Sequence, residues 1–285
     1  MANPVIFLYE NALGGLVVFR RDGDCIISDI TSVSSVDTQI SEAQGVGQTG
    51  ATATAASIQP RTLTVNGAVR SPAARAVLLA AVLPGVSARL TMLAGGERRY
   101  LEGIPSKSPD IANNRGVQKF QFAFRCSYPC WRGEDTATTL AALTPKFSFP
   151  CSLAGRWYIS RYTTSAFAVA ENAGNMPAPL TVRFYARTQV EDPEIYHLES
   201  GSYIRINAAM EIGEEITVST VYGRKGAIRT RPGGEPENIF RLLDIGSDLS
   251  MQLLPGTNTY KYDAADGKAG LDVTILAPKG VWAGV

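Results

Sequence analysis

The chain has 285 residues, of which 45% are hydrophobic and 19% charged, enough apolar material for a sizeable globular core. Lys plus Arg number 27 against 26 for Asp plus Glu, so the net charge is +1, which argues against a general nucleic-acid binder. No run of about 18 apolar residues occurs, and no basic segment precedes the first apolar run. We therefore predict neither a membrane span nor a signal peptide.

The first part of the chain alternates short apolar runs with turn residues, a pattern typical of β-strands. The first two runs are Ile6–Tyr9 and Leu16–Phe19. Asn66-Gly67 lies between two further apolar runs and predicts a hairpin turn. Phenylalanines alternate with other residues over 120–124, which predicts a half-buried strand.

One segment predicts an α-helix. Ser71 is a suitable N-cap, Pro72 fits the first turn, and the Ala/Leu-rich segment from Pro72 to Leu83 is stopped by Pro84-Gly85. A helical period predicts that four residues face a sheet: Ala76, Leu79, Ala80 and Leu83.

Residues 41–60 are rich in Gly, Thr and Ala and contain one charged residue, Glu42. Such a stretch is either a mobile loop or an extended hairpin arm that gains its partner on assembly. The alternation of Ala and Thr favours the arm, and we expect residues 41–58 to become ordered when subunits associate. The arm residues that we single out are Gly45, Gly47, Gln48 and Gly50.

A polar and proline-containing stretch follows Trp131, and we place a domain boundary near residue 135. The predicted domains are 1–135 and 136–285. The second contains strand-like runs separated by Gly and Pro turns at intervals of about 8 to 12 residues, which is typical of a β-sandwich or jelly roll.

The residues of the chain predict no catalytic machinery. The lone histidine, His197, lies in a strand-like run without a nucleophile motif, and no phosphate loop or zinc-protease motif occurs. The cysteines lack zinc-site spacing, and we interpret them as buried free thiols. The acidic run 191–194 and the segment 263–267 are interpreted as turns. No catalytic residue, metal or cofactor is predicted.

Two clusters are candidates for ligand contact. Arg156, Trp157, Tyr158 and Tyr162 combine aromatic rings with a cation and are candidate glycan contacts, with core or interface packing as the alternative. The most basic stretch contains Arg224, Lys225, Arg229 and Arg231, and we interpret it as a solvated hairpin rather than a DNA site.

Six motifs in a fixed order resemble the siphovirus distal tail proteins over nearly the full length. They are Gly47-Gln48-Thr49-Gly50, Arg61-Thr62-Leu63-Thr64-Val65, Cys126-x-Tyr128-Pro129-x-Trp131, Phe147-x-Phe149-Pro150, Glu171-Asn172-x-Gly174 and Leu254-Pro255-Gly256-x-Asn258. One departure is Cys130, which displaces the aromatic residue that usually follows the junction proline.

This resemblance implies a mostly β fold, with an N-terminal split β-barrel related to tail-tube subunits that carries one α-helix. A galectin-like β-sandwich would follow at the C-terminus. The implied protein is a structural hub of the tail tip or baseplate, assembled in the host cytoplasm as one or two stacked hexameric rings. Its implied partners are the tail tube protein, the tape measure protein and the tip hub protein, with DNA only passing through the channel.

Two alternatives stay open at this point. One is another structural subunit of the tail tube or tail tip. The other is a carbohydrate-binding module, for which a host cell-wall glycan would be the ligand.

Overall fold

The computed structural model describes the backbone of residues 5–112, 116–145, 160–164 and 167–285, and their side chains except in 141–145 and 160–164. Two compact units divide the chain. The first comprises residues 1–134 and 281–285, and the second comprises residues 135–280. The sequence predicts that the last five residues belong to the second domain, whereas they lie in the first unit.

The first unit is an open half-barrel of antiparallel strands with a helix. Its elements are β1 (Ile6–Asn11), β2 (Leu16–Phe19), β3 (Cys25–Ile30), β4 (Thr38–Ala43), β5 (Thr52–Ile58), β6 (Arg61–Val69), α1 (Pro72–Ala81), β7 (Ala88–Ala94), β8 (Glu97–Pro105), β9 (Asp110–Ile111), β10 (Gln118–Cys126) and β11 (Trp131–Arg132). The strand order is β2-β1-β7-β8-β10-β6-β3, with β9 paired to β10 and β11 paired to β8. The two edge strands, β2 and β3, are joined by a tight turn closed by a 3.1 Å bond from the Arg20 amide to the Cys25 carbonyl.

Alternating residues of these strands form the core of the first unit. Leu101, Phe122 and Phe124 are completely buried, and the Tyr9 ring meets the edges of both phenylalanines at 5.8 and 5.9 Å. Full burial of such a side chain contributes about 1.5–3 kcal/mol relative to exposure. The period-2 prediction for residues 120–124 is confirmed by β10.

Helix α1 begins as predicted but ends earlier and faces the other way. The Ser71 hydroxyl accepts a 3.2 Å bond from the Ala74 amide, which caps the helix, and α1 ends at Ala81 rather than at Leu83. Its buried residues are Ala74, Leu78 and Ala81, so the predicted face of Ala76, Leu79, Ala80 and Leu83 is wrong. Because the helix is apolar on nearly every side, its hydrophobic pattern did not define which side is buried.

The predicted hairpin turn at Asn66-Gly67 is also wrong, because β6 runs through it without interruption. A Cβ atom at Gly67 would lie 2.2 Å from the Ile26 carbonyl oxygen and 2.4 Å from the Phe120 ring. The glycine therefore allows close approach of a neighbouring strand and an aromatic ring rather than a turn.

The second unit is a β-sandwich. Its strands are β12 (Asp135–Pro145), β13 (Ser160–Thr164), β14 (Phe167–Asn172), β15 (Ala178–Pro179), β16 (Thr181–Ala186), β17 (Val190–Glu191), β18 (Glu194–His197), β19 (Tyr203–Arg205), β20 (Ala209–Met210), β21 (Glu215–Ser219), β22 (Gly226–Thr230), β23 (Glu237–Asn238), β24 (Gln252–Leu253), β25 (Gly256–Asp263) and β26 (Leu271–Pro278). One sheet has the order β13-β12-β26-β16-β21-β22-β23 and the other β14-β25-β18-β19. Short 3₁₀ turns occupy Phe240–Leu242 and Lys268–Gly270.

The chain finally returns to the first unit. Strand β27 (Val281–Trp282) pairs with β11, and Trp131 lies opposite Trp282. Within the described residues, α1 is the single α-helix and strands dominate, so the predicted mostly β fold is confirmed.

Candidate assembly interface

An exposed hairpin, β4–β5, projects from the first unit. Its two strands pair only with each other among the described strands, and every residue of both is exposed. We call this hairpin, residues 38–58, the arm. The sequence predicts that residues 41–58 become ordered only when subunits associate, whereas here they form part of an antiparallel pair within one chain. An isolated two-stranded hairpin is only marginally stable in water, so a partner surface would stabilise the arm.

The arm tip is held by the residues that the sequence analysis singled out. Gln48 organises the tip, since its Oε1 accepts a 3.0 Å bond from the Gly45 amide and its Nε2 donates a 2.9 Å bond to the Thr52 hydroxyl. Gly47 and Gly50 have φ angles of +78° and +83°, a region that favours glycine. These bonds are local, and they leave both faces of the arm free.

The arm root is anchored by a buried arginine, which the sequence analysis names only as part of the motif at residues 61–65. Arg61 directly follows the arm and is 5% exposed, and its guanidinium donates to the carbonyls of Val33 and Ala283. Trp131 Nε1 donates a 3.0 Å bond to the same Val33 carbonyl. Burial lowers the pKa of Arg61, and the nearby Cys130 opposes this effect.

The C-terminal segment completes the root. The Ser34 hydroxyl donates a 2.7 Å bond to the Val285 carbonyl. Gly284 lies against the Ser34 backbone, where a Cβ atom would approach the carbonyl oxygen to 2.1 Å. The root of the arm therefore depends on residues that are more than 200 positions apart in the sequence.

A second feature of the first unit is an ionic cluster around Tyr100. Glu102 lies 2.8 Å from Arg89 and 2.7 Å from Arg132, and both guanidinium groups lie over the Tyr100 ring, at 4.3 and 5.3 Å from its centroid. Burial favours the neutral form of Glu102, but the bonds and charges of the two arginines prevail and lower its pKa. The cluster joins β7, β8 and β11, and no sequence spacing reveals it.

His197 belongs to a structural network in the second unit. Its ring is completely buried, stacks on Tyr260 and contacts the Ser200 hydroxyl at 2.7 Å and Asn258 Oδ1 at 3.0 Å. Glu199 contacts the same ring at 3.2 Å. Although histidine, serine and carboxylate meet here, the buried ring offers no surface to a substrate, and the network holds the β18–β19 turn against β25.

The acidic run is not the solvated turn that the sequence predicts. Glu194 is 3% exposed, and its Oε2 accepts bonds from Arg205 Nε and Nη2 at 2.9 and 2.6 Å. Asp192 supplies the turn with a φ of +48°, and Glu194 begins the next strand. A buried carboxylate of this kind requires its cationic partner.

Two arginines of the basic stretch pair with acids that lie elsewhere in the sequence. Arg231 pairs with both Glu214 and Glu237 at 3.0 Å, and Arg229 approaches Glu214 at 3.8 Å. Lys225 donates to the Ser250 hydroxyl at 2.9 Å. These contacts support the interpretation of this stretch as a hairpin surface rather than a DNA site.

The candidate glycan contacts fall largely outside the described residues. This applies to Arg156, Trp157 and Tyr158, and to the side chain of Tyr162, whose backbone lies in β13. Glycan contact there stays a prediction. Trp131 is completely buried, and Arg99 covers Trp282 at 4.1 Å, so these two rings pack within the first unit.

Two general features of the described part of the chain concern metals and membranes. No group of three or more His, Cys, Asp or Glu side chains there is arranged to hold a metal ion. No helix in that part is long and apolar enough to cross a membrane.

Comparison with known proteins points to phage tails. Residues 173–275 match the family described as siphovirus-type tail component, C-terminal domain. No curated protein sequence matches the chain. The crystal structure of the Dit protein (gp 19.1) of phage SPP1, described as a paradigm of the hub adsorption apparatus in phages that infect Gram-positive bacteria, has a similar fold. Its TM-score is 0.66 and its identity 16%, over 95% of this chain and 98% of that one. A chain of the phage P2 baseplate, in its activated conformation with Ca, covers 96% of this chain and 98% of its own at 11% identity and a TM-score of 0.48.

Proposed function

We propose that the chain is a hub subunit of a phage tail tip, because residues 173–275 match the siphovirus-type tail component C-terminal domain family. Copies of its first unit would form a hexameric ring, single or stacked, between the tail tube and the baseplate or adhesion apparatus. The fold that the chain shares with the SPP1 Dit protein over nearly the full length supports this proposal. The proposed role is structural and requires no catalytic residue, metal or cofactor.

The arm carries the proposal. In a closed ring each subunit presents two different surfaces, so that one side of a subunit docks on the other side of its neighbour. A hairpin exposed on both faces and anchored firmly at its root is suited to reach a neighbouring subunit. Gly45, Gly47, Gln48 and Gly50 would shape its tip for that contact.

The proposed ring fits the charge of the chain. With 27 basic and 26 acidic side chains, a ring of this protein would allow DNA to pass without retaining it through counterion release. The tail tube protein, the tape measure protein and the tip hub protein are the proposed partners. The proposed location is the virion tail tip, reached after assembly in the host cytoplasm.

Deleting residues 45–55 tests the arm. In the deletion variant, Ile40 still lies opposite Ala56, and the four residues 41–44 are enough to close the shortened hairpin. By size-exclusion chromatography with light scattering, we expect the deletion variant to be a folded monomer and the parent chain to be a species of six or twelve copies. A matched control, Ile245→Ser, removes a fully exposed apolar side chain from the second unit and should assemble normally. Unchanged oligomers after the deletion would exclude the arm from the assembly mechanism.

A further inference from the structure

An apolar patch lies on the outward face of strands β1, β2 and β7. Cross-strand pairs Leu8↔Val18 and Ile6↔Leu93 place its members on one face, while the alternate residues of these strands enter the core. Leu16 is 51% and Val18 38% exposed. We call this surface the edge patch, because β2 is an edge strand of the sheet, and it consists of Ile6, Leu8, Leu16, Val18 and Leu93. Glu10 lies opposite Leu16 on the same face and borders the patch. Exposed apolar surface with a polar rim is the type of surface that protein–protein contacts use.

The arm has two different faces. Ile40 lies opposite Ala56, and Ile58 follows two positions further on the same face. Ile40 is 57% and Ile58 38% exposed. Thr38 and Glu42 lie on the same face of β4 as Ile40, and the other face carries only polar and small residues. The arm therefore presents one largely apolar face that also carries the Glu42 carboxylate, and nothing covers this face in the described part of the chain.

Charge also relates the two surfaces. Glu42 is the only charged residue of the arm, and it has no ion-pair partner among the described residues. Arg20 and Arg21 directly follow β2, are exposed, and likewise form no ion pair in the described part of the chain. The same turn contains exposed Asp22 and Asp24, so its net charge is zero, and the match is a local one between the Glu42 carboxylate and the two guanidinium groups.

We propose that the apolar face of the arm docks on the edge patch of a second copy of this chain, with Glu42 close to Arg20 and Arg21. Both surfaces are exposed within the single chain, so they do not cover each other there, and the occupant must come from another molecule. Two different surfaces on one subunit are what a closed heterologous ring requires. This inference rests on the proposed ring and identifies the surface that receives the arm.

Disulfide trapping tests the contact, because a disulfide forms only when two Cα atoms lie within about 7 Å of each other. The double variant Ile40→Cys with Val18→Cys, oxidised after assembly, should give a ladder of cross-linked multimers on non-reducing gels, up to the size of the ring. Each single variant, and the parent chain with its own cysteines, should give no ladder. The matched control is the double variant Ile40→Cys with Val77→Cys, in which the second cysteine lies on the exposed side of α1, at a residue that is 48% exposed. This control should also give no ladder.

The outcomes separate this inference from the proposed function. Rings that assemble but cross-link only through Val77, or through neither site, would overturn the docking surface and leave the ring intact. Monomers of the parent chain before oxidation would overturn both. A charge test is independent of cross-linking: Glu42→Arg should weaken assembly at low salt, and combination with Arg20→Glu and Arg21→Glu should restore it. Failure of the triple variant to assemble better than Glu42→Arg alone would exclude the proposed charge pairing.

Discussion

Gly67 offers a sharp test of the first unit, because its role differs between the sequence pattern and the structure. In Gly67→Ala, the new methyl group would meet the Ile26 carbonyl oxygen at 2.2 Å and the Phe120 ring at 2.4 Å, both far inside van der Waals contact. A backbone oxygen in a paired strand moves only if β3 or β6 moves. We therefore expect a loss of about 3 kcal/mol in unfolding free energy, at the upper end of the range for overpacked cores.

Calorimetry measures this effect directly. A loss of about 3 kcal/mol lowers the unfolding temperature of a unit of this size by roughly 10 °C. Gly226→Ala is the matched control, because it lies in a strand of the second unit with open space around the new methyl group, and it should change stability by less than about 0.5 kcal/mol. If Gly67→Ala unfolded at the temperature of the parent chain, the close approach of β3, β6 and Phe120 would be refuted.

Two further predictions concern the first unit. Ser71→Ala removes the oxygen that caps α1 and should cost about 1 kcal/mol of unfolding free energy, measured by urea unfolding. Ser71→Thr keeps a capping hydroxyl next to Asp24 and should retain most of the stability, and an equal loss in both variants would contradict the capping role. The folded chain lowers the pKa of Glu102, so this group stabilises the first unit above the ordinary pKa of glutamate, and that contribution disappears as the pH falls through the lowered value. Between pH 7 and about pH 3, Glu102→Gln should therefore lose less unfolding free energy than the parent chain. If the unfolding free energies of the two proteins changed in parallel with pH, the stabilising role of the Glu102 charge would be refuted.

Local signals in the sequence predicted local structure well. Ser71 and Pro72 mark the start of α1 because an N-cap and a first-turn proline act through adjacent backbone groups. The alternation over 120–124 predicts β10 because each strand residue faces one side of the sheet. The face of α1 was not predictable, since alanines and leucines surround the helix and tertiary packing selects Leu78 rather than Leu79.

Contacts between distant residues could not be predicted from spacing. The neighbouring Asn66 makes Gly67 resemble a turn residue. The position requires glycine because a side chain there would collide with the Phe120 ring of another strand. The Arg89–Glu102–Arg132 cluster likewise joins three strands whose pairing is set by the fold. For the arm, composition indicated an extended hairpin that needs a partner, but nothing local indicated the anchor at its root.

In the proposed ring, that anchor would fix the direction in which the exposed hairpin leaves its subunit. A hairpin with both faces exposed gains little stabilisation from packing against its own chain. Its direction therefore depends on the contacts that hold its root. Arg61 ties the end of the arm to Val33, before the arm, and to Ala283, near the end of the chain. Because Trp131 and Ser34 hold the same two segments, a weakened C-terminal contact should loosen the arm without unfolding β4 and β5 from each other. The arm is thus held at its root by these contacts and at its tip by the Gln48 bonds, and in the proposed ring this pre-organisation would lower the entropy lost when the arm docks on a neighbour.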